Sequence, residues 1–528
     1  MHFRSTCDPN LIQTMREHEQ AVASIDDEIE ALMRTVRQLQ YKKFQHQKKI
    51  KECKGRMTLA RRLPPEILAT IFEECVRDGW TRTPLMASHV CSEWRIAANV
   101  PSVWSHVYVN CDAKDPQGRT RFWLKKSRGT LLRVTIDVRN DASQLPGVMK
   151  ILLQQMPRWR VLNINTTLLW QVNYILTLCN RPAPELCVLD ISIVQEFDDT
   201  MAQTPMEGGN DIVGLANSFP QSPHFHTLRI NRNILPSHGT LPLSITDLSI
   251  TLPRHSTRTK LSVDKLLHVL GSLQHLQSFS LVLLRGQERE FEVTSNGTRS
   301  VVLSDLTTLI VVGSRDTFAF LPHLLTPALT RLHLRSSLDP LGYPDEQMAS
   351  YIRRFVEQGE YLGIEILDLH DIDLSMSDFS TCLARSPRLR DLRLHESEIT
   401  DSIIKTLNGA EGYCPLLKRL DLRWCGHVTG RALIDLVESR LYHIDNFDNP
   451  SYSLTAIDRI TVINCAFVGE QDVIRLAQTT TCQVVMEAND YCRMFGCCQN
   501  ERYRRRLQYH CAKEIAEIIH NKSGKLVF

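Results

Sequence analysis

Arginine and histidine side chains alternate with leucines along the second half of the sequence. The leucines recur at positions i, i+3 and i+5, as in Leu417, Leu420 and Leu422. An arginine guanidinium can hold a carboxylate or a phosphate through two parallel hydrogen bonds. We therefore expect a surface that binds an acidic or phosphorylated protein segment, although the same side chains could simply be solvated. The candidate binding residues are Arg335, His370, Arg393, His395, Arg423 and Trp424.

The cysteines have neither the spacing of a metal site nor that of a disulfide framework. The chain has 16 of them. Several lie in apolar contexts, such as Cys179, Cys187 and Cys465, which is typical of buried thiols in a reducing compartment. The densest group contains Cys492, Cys497, Cys498, His510 and Cys511, and its spacing is not a recognised zinc pattern. We expect no bound metal and no cofactor.

Local motifs of common enzymes are missing from the sequence. It contains no Walker loop, no dinucleotide-binding glycine fingerprint, no His-Glu-x-x-His and no nucleophile elbow. No cysteine pairs with a histidine in a pattern that sequence alone reveals. We therefore predict a non-catalytic protein without catalytic residues.

The bulk composition is that of a soluble protein with several domains or one repeat array. The chain has 528 residues, of which 43% are apolar and 23% are charged, and a net charge of only +3. No apolar run has the length of a membrane span, and the first residues do not form a signal peptide. We expect a cytoplasmic or nuclear protein without a membrane partner. Nucleic acid is not the expected partner, although a basic stretch around Arg504 leaves that alternative open.

Residues 10–54 contain no proline and no glycine, and their apolar side chains follow a heptad repeat. One register contains Met15, Val22, Ile29, Val36 and Ile50 and is interrupted at Lys43. The other contains Ile25, Leu32, Leu39 and Cys53 and is imperfect at His18 and His46. This pattern predicts a coiled-coil-type helix over residues 10–55, roughly 65–70 Å long, after a disordered segment 1–9. Such a helix could pair with a second copy as a homodimer. Alternatively, it could lie alone on the domains that follow.

Two short amphipathic helices are predicted between Leu63 and Trp104. The first begins at a proline pair, and its apolar residues Ile67, Leu68, Ile71 and Phe72 form one stripe. The second carries Val90, Cys91 and Trp94 on a shared face. About 40 residues are too few to bury all these side chains without help. Part of the stripe should therefore be covered by another chain or by the following domain.

This segment resembles an F-box, in particular the large fungal set with a PPEI sequence and a VCxxW block. The match spans residues 60–108, and the insert Asp78–Thr83 lengthens one loop relative to shorter members. The resemblance implies that the segment docks the Skp-type adaptor of a cullin-based ubiquitin ligase. The alternative is an ordinary helical subdomain of a larger fold. The implied adaptor-binding residues are Leu63, Pro64, Ile67, Leu68, Ile71, Phe72, Val90, Cys91 and Trp94.

Residues 109–490 repeat a short apolar strand pattern followed by a helical stretch. The clearest copies begin at Leu329, Ile364, Leu389 and Leu417, and the spacing between copies is irregular. The segment from Cys414 to Thr429 resembles a cysteine-containing leucine-rich repeat. The resemblance implies an α/β solenoid with short parallel strands, outer helices and the alternating Arg and His on the concave face. The alternative is an unrelated α/β fold, and residues 491–528 are expected to form a helical cap or tail.

These features together favour a substrate-recognition subunit of an SCF-type ubiquitin ligase. Its F-box would bind the adaptor, and its repeats would bind a protein substrate. A second hypothesis is a non-degradative scaffold that binds the adaptor and dimerises through the N-terminal helix.

Overall fold

The computed structural model divides the chain into two compact units, one ending at Trp104 and one beginning at Ser105. Apart from a few single positions, it describes the following residues: 9–57, 63–193, 215–231, 235, 241–252, 261–283, 291–292, 300–336, 346–358, 363–446, 454–486 and 524–527. Within the described helices, no segment combines the length and apolar character needed to span a bilayer.

The first unit opens with one long helix. Helix α1 (Pro9–Met57) has 49 residues and is therefore about 73 Å long. The long N-terminal helix agrees with the prediction. Most of its large apolar side chains remain exposed, from 47% for Val36 to 69% for Leu11.

The rest of the first unit is a set of short helices. They are α2 (Pro65–Arg77), α3 (Thr83–Ser88), α4 (Ser92–Ala98) and a 3-10 helix (Pro101–Trp104). Pro65 occupies the first turn of α2, where its missing N–H costs nothing, and Glu66 complements the positive end of that helix.

The second unit is built on one large sheet. Among the described residues, its 15 strands lie side by side in chain order, and every pair is parallel except the last. The strands are β1 (His106–Asn110), β2 (Leu132–Val138), β3 (Trp159–Thr166), β4 (Val188–Ile193), β5 (Thr227–Ile230), β6 (Asp247–Leu252), β8 (Ser278–Leu283), β11 (Thr308–Gly313), β13 (Arg331–Ser336), β14 (Ile366–His370), β15 (Asp391–His395), β16 (Arg419–Arg423), β17 (Arg459–Ile463), β18 (Thr481–Met486) and β19 (Gly524–Val527). Two short pairs flank it, formed by β7 (Leu261–Ser262) with β9 (Phe291–Glu292) and by β10 (Val301–Val302) with β12 (Leu324–Leu325).

Helices connect many of the strands, as a parallel sheet requires. They are α5 (Pro116–Ser127), α6 (Leu145–Leu152), α7 (Leu169–Leu178), α8 (Val263–Ser272), α9 (Glu346–Glu357), α10 (Met376–Ala384), α11 (Asp401–Lys405), α12 (Gly430–Asn446) and α13 (Glu470–Ala477). Short 3-10 helices occupy Leu153–Arg158, Leu215–Asn217, Arg315–Phe318 and Leu321–His323. A large parallel sheet with intervening helices agrees with the predicted solenoid-like α/β class.

The repeated leucines form the core because they line up from strand to strand. Leu332, Leu367, Leu392 and Leu420 lie directly opposite one another on β13–β16. A second row contains Leu334, Leu369, Leu394 and Leu422. Both rows are buried. Each strand therefore contributes two leucines to one continuous apolar layer.

Several cysteines act as buried hydrogen-bond donors between neighbouring segments of the sheet unit. The thiol of Cys414 donates to the carbonyl of Leu383 at 3.3 Å, and that of Cys425 donates to Leu394 at 3.4 Å. Burial raises the pKa of Cys414 to about 12, so its thiol stays protonated. Cys179 and Cys465 are buried as expected, whereas Cys187 is only half-buried, since it lies at the start of a strand beside solvent.

Arg440 is a fully buried charge in α12 that holds the surrounding loops in place. Its guanidinium donates to the carbonyl of Leu407 at 2.9 Å and to that of Cys414 at 3.1 Å. Further acceptors are the carbonyls of Tyr413, Pro415, Leu417 and Thr455. Burial lowers the pKa of Arg440 to about 10, which still leaves it charged at neutral pH. One side chain thus satisfies backbone acceptors from two connections, the one between β15 and β16 and the one between β16 and β17.

The ends of the sheet differ in two respects from the sequence-based boundaries. Strand β1 crosses the predicted boundary at 108/109 and pairs with β2, because its backbone groups need a strand partner. At the other end, β19 pairs antiparallel with β18, where a helical cap or tail was expected over residues 491–528. Residues 487–523, including Cys492–Cys511 and the basic stretch around Arg504, lie outside the described residues.

Replacing Arg440 with Met should lower the free energy of unfolding of the sheet unit by at least about 3 kcal/mol, because several buried carbonyls lose their donor. Urea denaturation followed by circular dichroism measures this change. Arg431→Met is the matched control, since Arg431 lies on the same helix in an exposed pair with Asp435 and should cost less than about 0.5 kcal/mol. Equal effects of the two substitutions would contradict the assigned role of Arg440.

Candidate functional site

Helix α2 divides its apolar stripe between two faces. Leu68, Phe72 and Val76 are buried, at 2%, 3% and 4% exposure. Phe72 packs against Trp94 of α4, with ring centroids 5.1 Å apart. Pairing of aromatic rings at this distance is favourable beyond simple burial. These residues therefore hold the helices together.

The other face of α2 is apolar and exposed. Ile67 is 48% exposed, Ile71 is 42% exposed, and Val90 after α3 is 60% exposed. Pro64 at the start of α2 is also exposed. An exposed group of large apolar side chains marks an interaction surface. We call Pro64, Ile67, Ile71 and Val90 the apolar docking face.

The nine residues predicted to bind an adaptor therefore fall into three groups. The docking face contains four of them, and Leu68 and Phe72 are buried structural residues. Leu63, Cys91 and Trp94 are partly exposed and can serve both purposes. Within residues 63–104, the most exposed large apolar residues absent from the predicted set are Trp80, Met86 and Ile96, at 70%, 64% and 62%. Trp80 was visible in the sequence as a tryptophan in the Asp78–Thr83 insert, beside a glycine with φ +96°.

Strands β13–β17 present a second candidate surface, made of the residues that alternate with the leucines. One row across the sheet contains His333, Asp368, Arg393, Asp421 and Thr461. The next row contains Arg335, His370, His395, Arg423 and Ile463. We call these two rows the charged strand face. The in-register pairing of the strands places five of the six predicted substrate-binding residues in these two adjacent rows, and the sixth is Trp424.

The guanidinium groups of Arg393 and Arg423, which were predicted to bind a partner, already form ion pairs within the protein. Arg393 donates to both carboxylate oxygens of Asp391, at 3.2 and 2.8 Å. Arg423 does the same with Asp421, at 2.9 and 2.8 Å. The hydrogen bond to the neighbouring aspartate raises the pKa of each arginine. An incoming carboxylate or phosphate would therefore share these guanidinium groups with an internal aspartate.

The remaining predicted residues differ in accessibility. Arg335 is exposed, and His370 and His395 are half-buried. Burial, followed by the neighbouring His370, lowers the pKa of His395 to about 3, so this imidazole is neutral. Trp424 is only 7% exposed and has a positive φ of 57°. Its side chain thus offers little surface to a partner, because the chain turns sharply at the end of β16.

The charged strand face also contains a histidine–aspartate cluster of His333, Asp368 and His370. Of these three residues, the predicted binding set contained only His370. Asp368 Oδ2 lies 3.1 Å from Nδ1 of His333, and Asp368 Oδ1 lies 2.9 Å from Nε2 of His370. The rings of His370 and His395 follow, with centroids 3.6 Å apart. Burial opposes ionisation of Asp368, but the flanking imidazoles hold its pKa well below the ordinary range.

Comparison with known proteins bears on the first of these surfaces. Residues 60–110 match the family model described as F-box-like. That range contains α2–α4 and the whole apolar docking face. No curated protein matches the chain. A crystal structure of a Bacteroides fragilis protein is similar at 10% identity over 69% of this chain and 76% of that one. Its TM-score of 0.25 is too low to indicate a shared fold.

The F-box-like domain confirms the coarser part of the sequence-based interpretation. It begins where the resemblance predicted and ends two residues later, at 110 instead of 108. The buried set around Phe72 and Trp94 explains how so short a domain folds, since the two rings join α2 to α4. The exposed docking face is then available to another molecule.

Phe72→Ala should destabilise the F-box-like domain by about 3–5 kcal/mol, because a fully buried ring is removed from its contact with Trp94. Ile71→Ala, one residue away on the exposed face, should change stability by less than about 1 kcal/mol. Hydrogen exchange of the amides in residues 65–98 of the full chain measures both effects. Similar protection in the two variants would contradict the division into a buried and an exposed face.

Proposed function

We propose that this protein is the substrate-recognition subunit of a cullin-based, SCF-type ubiquitin ligase. The observation that carries the proposal is the F-box-like domain with its exposed apolar docking face. An F-box-like domain suggests an adaptor-binding, substrate-recognition role. In this proposal the docking face binds a Skp-type adaptor and, through it, the cullin. The protein itself supplies no catalytic group and acts in the cytoplasm, the nucleus or both.

The contribution to the reaction is proximity. Holding a client protein near a ubiquitin-charged enzyme raises the effective concentration of the client lysines. Protein interfaces of standard size depend on a few central apolar anchors. Ile67 and Ile71 are such anchors, since they lie about one turn apart on α2 and are exposed, whereas the adjacent Phe72 is buried.

We interpret the sheet unit as a leucine-rich-repeat array that binds the client on the charged strand face. The buried leucine rows on β13–β16 support this interpretation. Arg335 is exposed there, and Nη1 of Arg393 and of Arg423 lies outside the two hydrogen bonds to aspartate. An acidic or phosphorylated client segment fits these donors. The likeness to the fungal F-box set rests on the PPEI and VCSEW sequences.

A second candidate function is a non-degradative scaffold that dimerises through α1. The observation in its favour is the exposed heptad stripe of Val22, Ile25, Ile29 and Leu32, each more than 50% exposed. A second copy of the same helix would cover such a stripe in a coiled coil. Dimerisation is compatible with a ligase subunit as well, so the two functions differ in whether the cullin and ubiquitinated clients are bound.

The double substitution Ile67→Asp and Ile71→Asp should weaken binding to a Skp-type adaptor by at least about 100-fold, because two charges would be buried in an apolar interface. Titration calorimetry or pull-down with purified adaptor measures the loss. Leu243→Asp is the control, since Leu243 is 62% exposed but lies in the sheet unit. Adaptor binding that survives the double substitution would refute the assigned docking face.

The double substitution Arg393→Glu and Arg423→Glu should abolish client capture while adaptor binding persists, since each new carboxylate would face an aspartate and repel an acidic partner. Affinity purification with mass spectrometry compares this variant with the wild type and with Leu63→Ala/Pro64→Ala. Lys405→Glu, an exposed change of the same charge on α11, is the control. An unchanged set of clients would exclude the charged strand face as their binding site.

The double substitution Leu32→Glu and Leu39→Glu should convert a dimer into a monomer, because like charges would face each other in the heptad seam. Sedimentation equilibrium of the full chain measures the mass. Glu30→Gln, a change at an exposed ion pair with Arg34, should leave the mass unchanged. A wild-type monomer at every concentration would rule out the scaffold function.

A further inference from the structure

The histidine–aspartate cluster on the charged strand face brings three metal-ligand side chains together. His333 lies on β13 directly opposite Asp368 on β14, and His370 is two residues further along the same strand. One ligand atom from each of the three lies within 4.8 Å of the other two. The side chains are 29%, 14% and 21% exposed, so the cluster is partly shielded but open to solvent.

Asp368 differs from the other aspartates of this face in its partners. Asp391 and Asp421 are each held by a bidentate arginine. Asp368 instead lies between two imidazoles, which carry no charge when they are unprotonated. Its Oδ1 is buried and, within the described residues, makes no hydrogen bond of good geometry, although Nε2 of His370 is 2.9 Å away. One carboxylate on this face thus keeps an unsatisfied buried acceptor.

A fourth imidazole lies beside the cluster. The ring of His395 is 3.6 Å from that of His370 between centroids, and its buried Nε2 has no hydrogen-bond partner in the part of the chain that the structure describes. Buried polar atoms are almost always paired in native proteins. The unpaired buried Oδ1 of Asp368 therefore requires an explanation, and a cation bound by this carboxylate supplies one.

We propose that His333, Asp368 and His370 bind a divalent transition-metal ion, with zinc the best fit. Two imidazole nitrogens and one carboxylate oxygen are a ligand set that zinc accepts, whereas magnesium and calcium prefer oxygen ligands alone. Ligands of a tetrahedral zinc stand about 3.3 Å apart, and small side-chain rotations bring the three donor atoms to that separation.

The charge around the cluster is close to balanced. Asp368 contributes one negative charge, and Arg335 opposite His370 contributes one positive charge. The nearby Arg393 and Arg423 are each neutralised by an aspartate of their own strand. Three protein ligands leave one tetrahedral position open, which is typical of zinc sites that bind water or a further ligand. The cluster lies among the residues proposed to contact a client, but the metal site does not depend on that function.

The test uses the full chain, stripped with a chelator and then titrated with Co²⁺ as a spectroscopic probe. We expect one equivalent to bind with visible absorption but without a thiolate charge-transfer band, and Zn²⁺ to displace it. His370→Asn and Asp368→Asn should each weaken Co²⁺ binding by at least about 100-fold, since each removes a ligand. Circular dichroism of the stripped variants checks that the fold is retained.

The matched control is His275→Asn. His275 Nδ1 lies 3.1 Å from Asp305 Oδ2, the same separation as in the cluster, but this pair is exposed and lies outside the three-ligand group. This variant should bind Co²⁺ like the wild type. The proposal is overturned if the wild type binds no Co²⁺ or if His370→Asn and Asp368→Asn bind like the wild type. Binding with a thiolate band that survives His370→Asn also overturns it, because it assigns the metal to cysteines elsewhere.

Discussion

The in-register pairing of parallel strands is the constraint on which the sheet unit depends. Each strand can satisfy its backbone donors and acceptors only through its two neighbours, at a spacing of about 4.8 Å. That pairing aligns Leu332 with Leu367, Leu392 and Leu420, and it fixes the alternating residues on the other face in the same step. The core and the charged strand face are therefore two products of one register. A shift of one residue would exchange them.

Local patterns predicted the features that depend on neighbours in sequence. The heptads gave the long helix, and the leucine triplets gave the positions of β13–β16. Even the pairs of Asp391 with Arg393 and Asp421 with Arg423 could have been read from the sequence, because residues two apart on a strand share a face. The same reasoning would have shown that the guanidinium groups of these arginines already have an acidic partner.

Contacts that depend on the register or on packing could not be predicted in this way. His333 and Asp368 are far apart in sequence and meet only because two strands pair with a particular alignment. The apolar stripe of α2 predicts neither that Phe72 faces Trp94 nor that Ile71 does not, since the angle between α2 and α4 is a tertiary property. Arg440 looks like an ordinary polar residue of a helix, yet its partners are carbonyls of distant loops.

Because each strand pairs only with the strands beside it, the sheet unit can also unfold in stages. In a linear array each repeat is stabilised by the repeats beside it and by nothing further away. Unfolding of such a chain can begin at one end and stop at a well-packed boundary, so its melting is graded instead of all-or-none. The connections tied together by Arg440 form such a boundary beside the last strands. The strands that flank these connections, β15–β17, can thus stay folded after the opposite end of the sheet has opened.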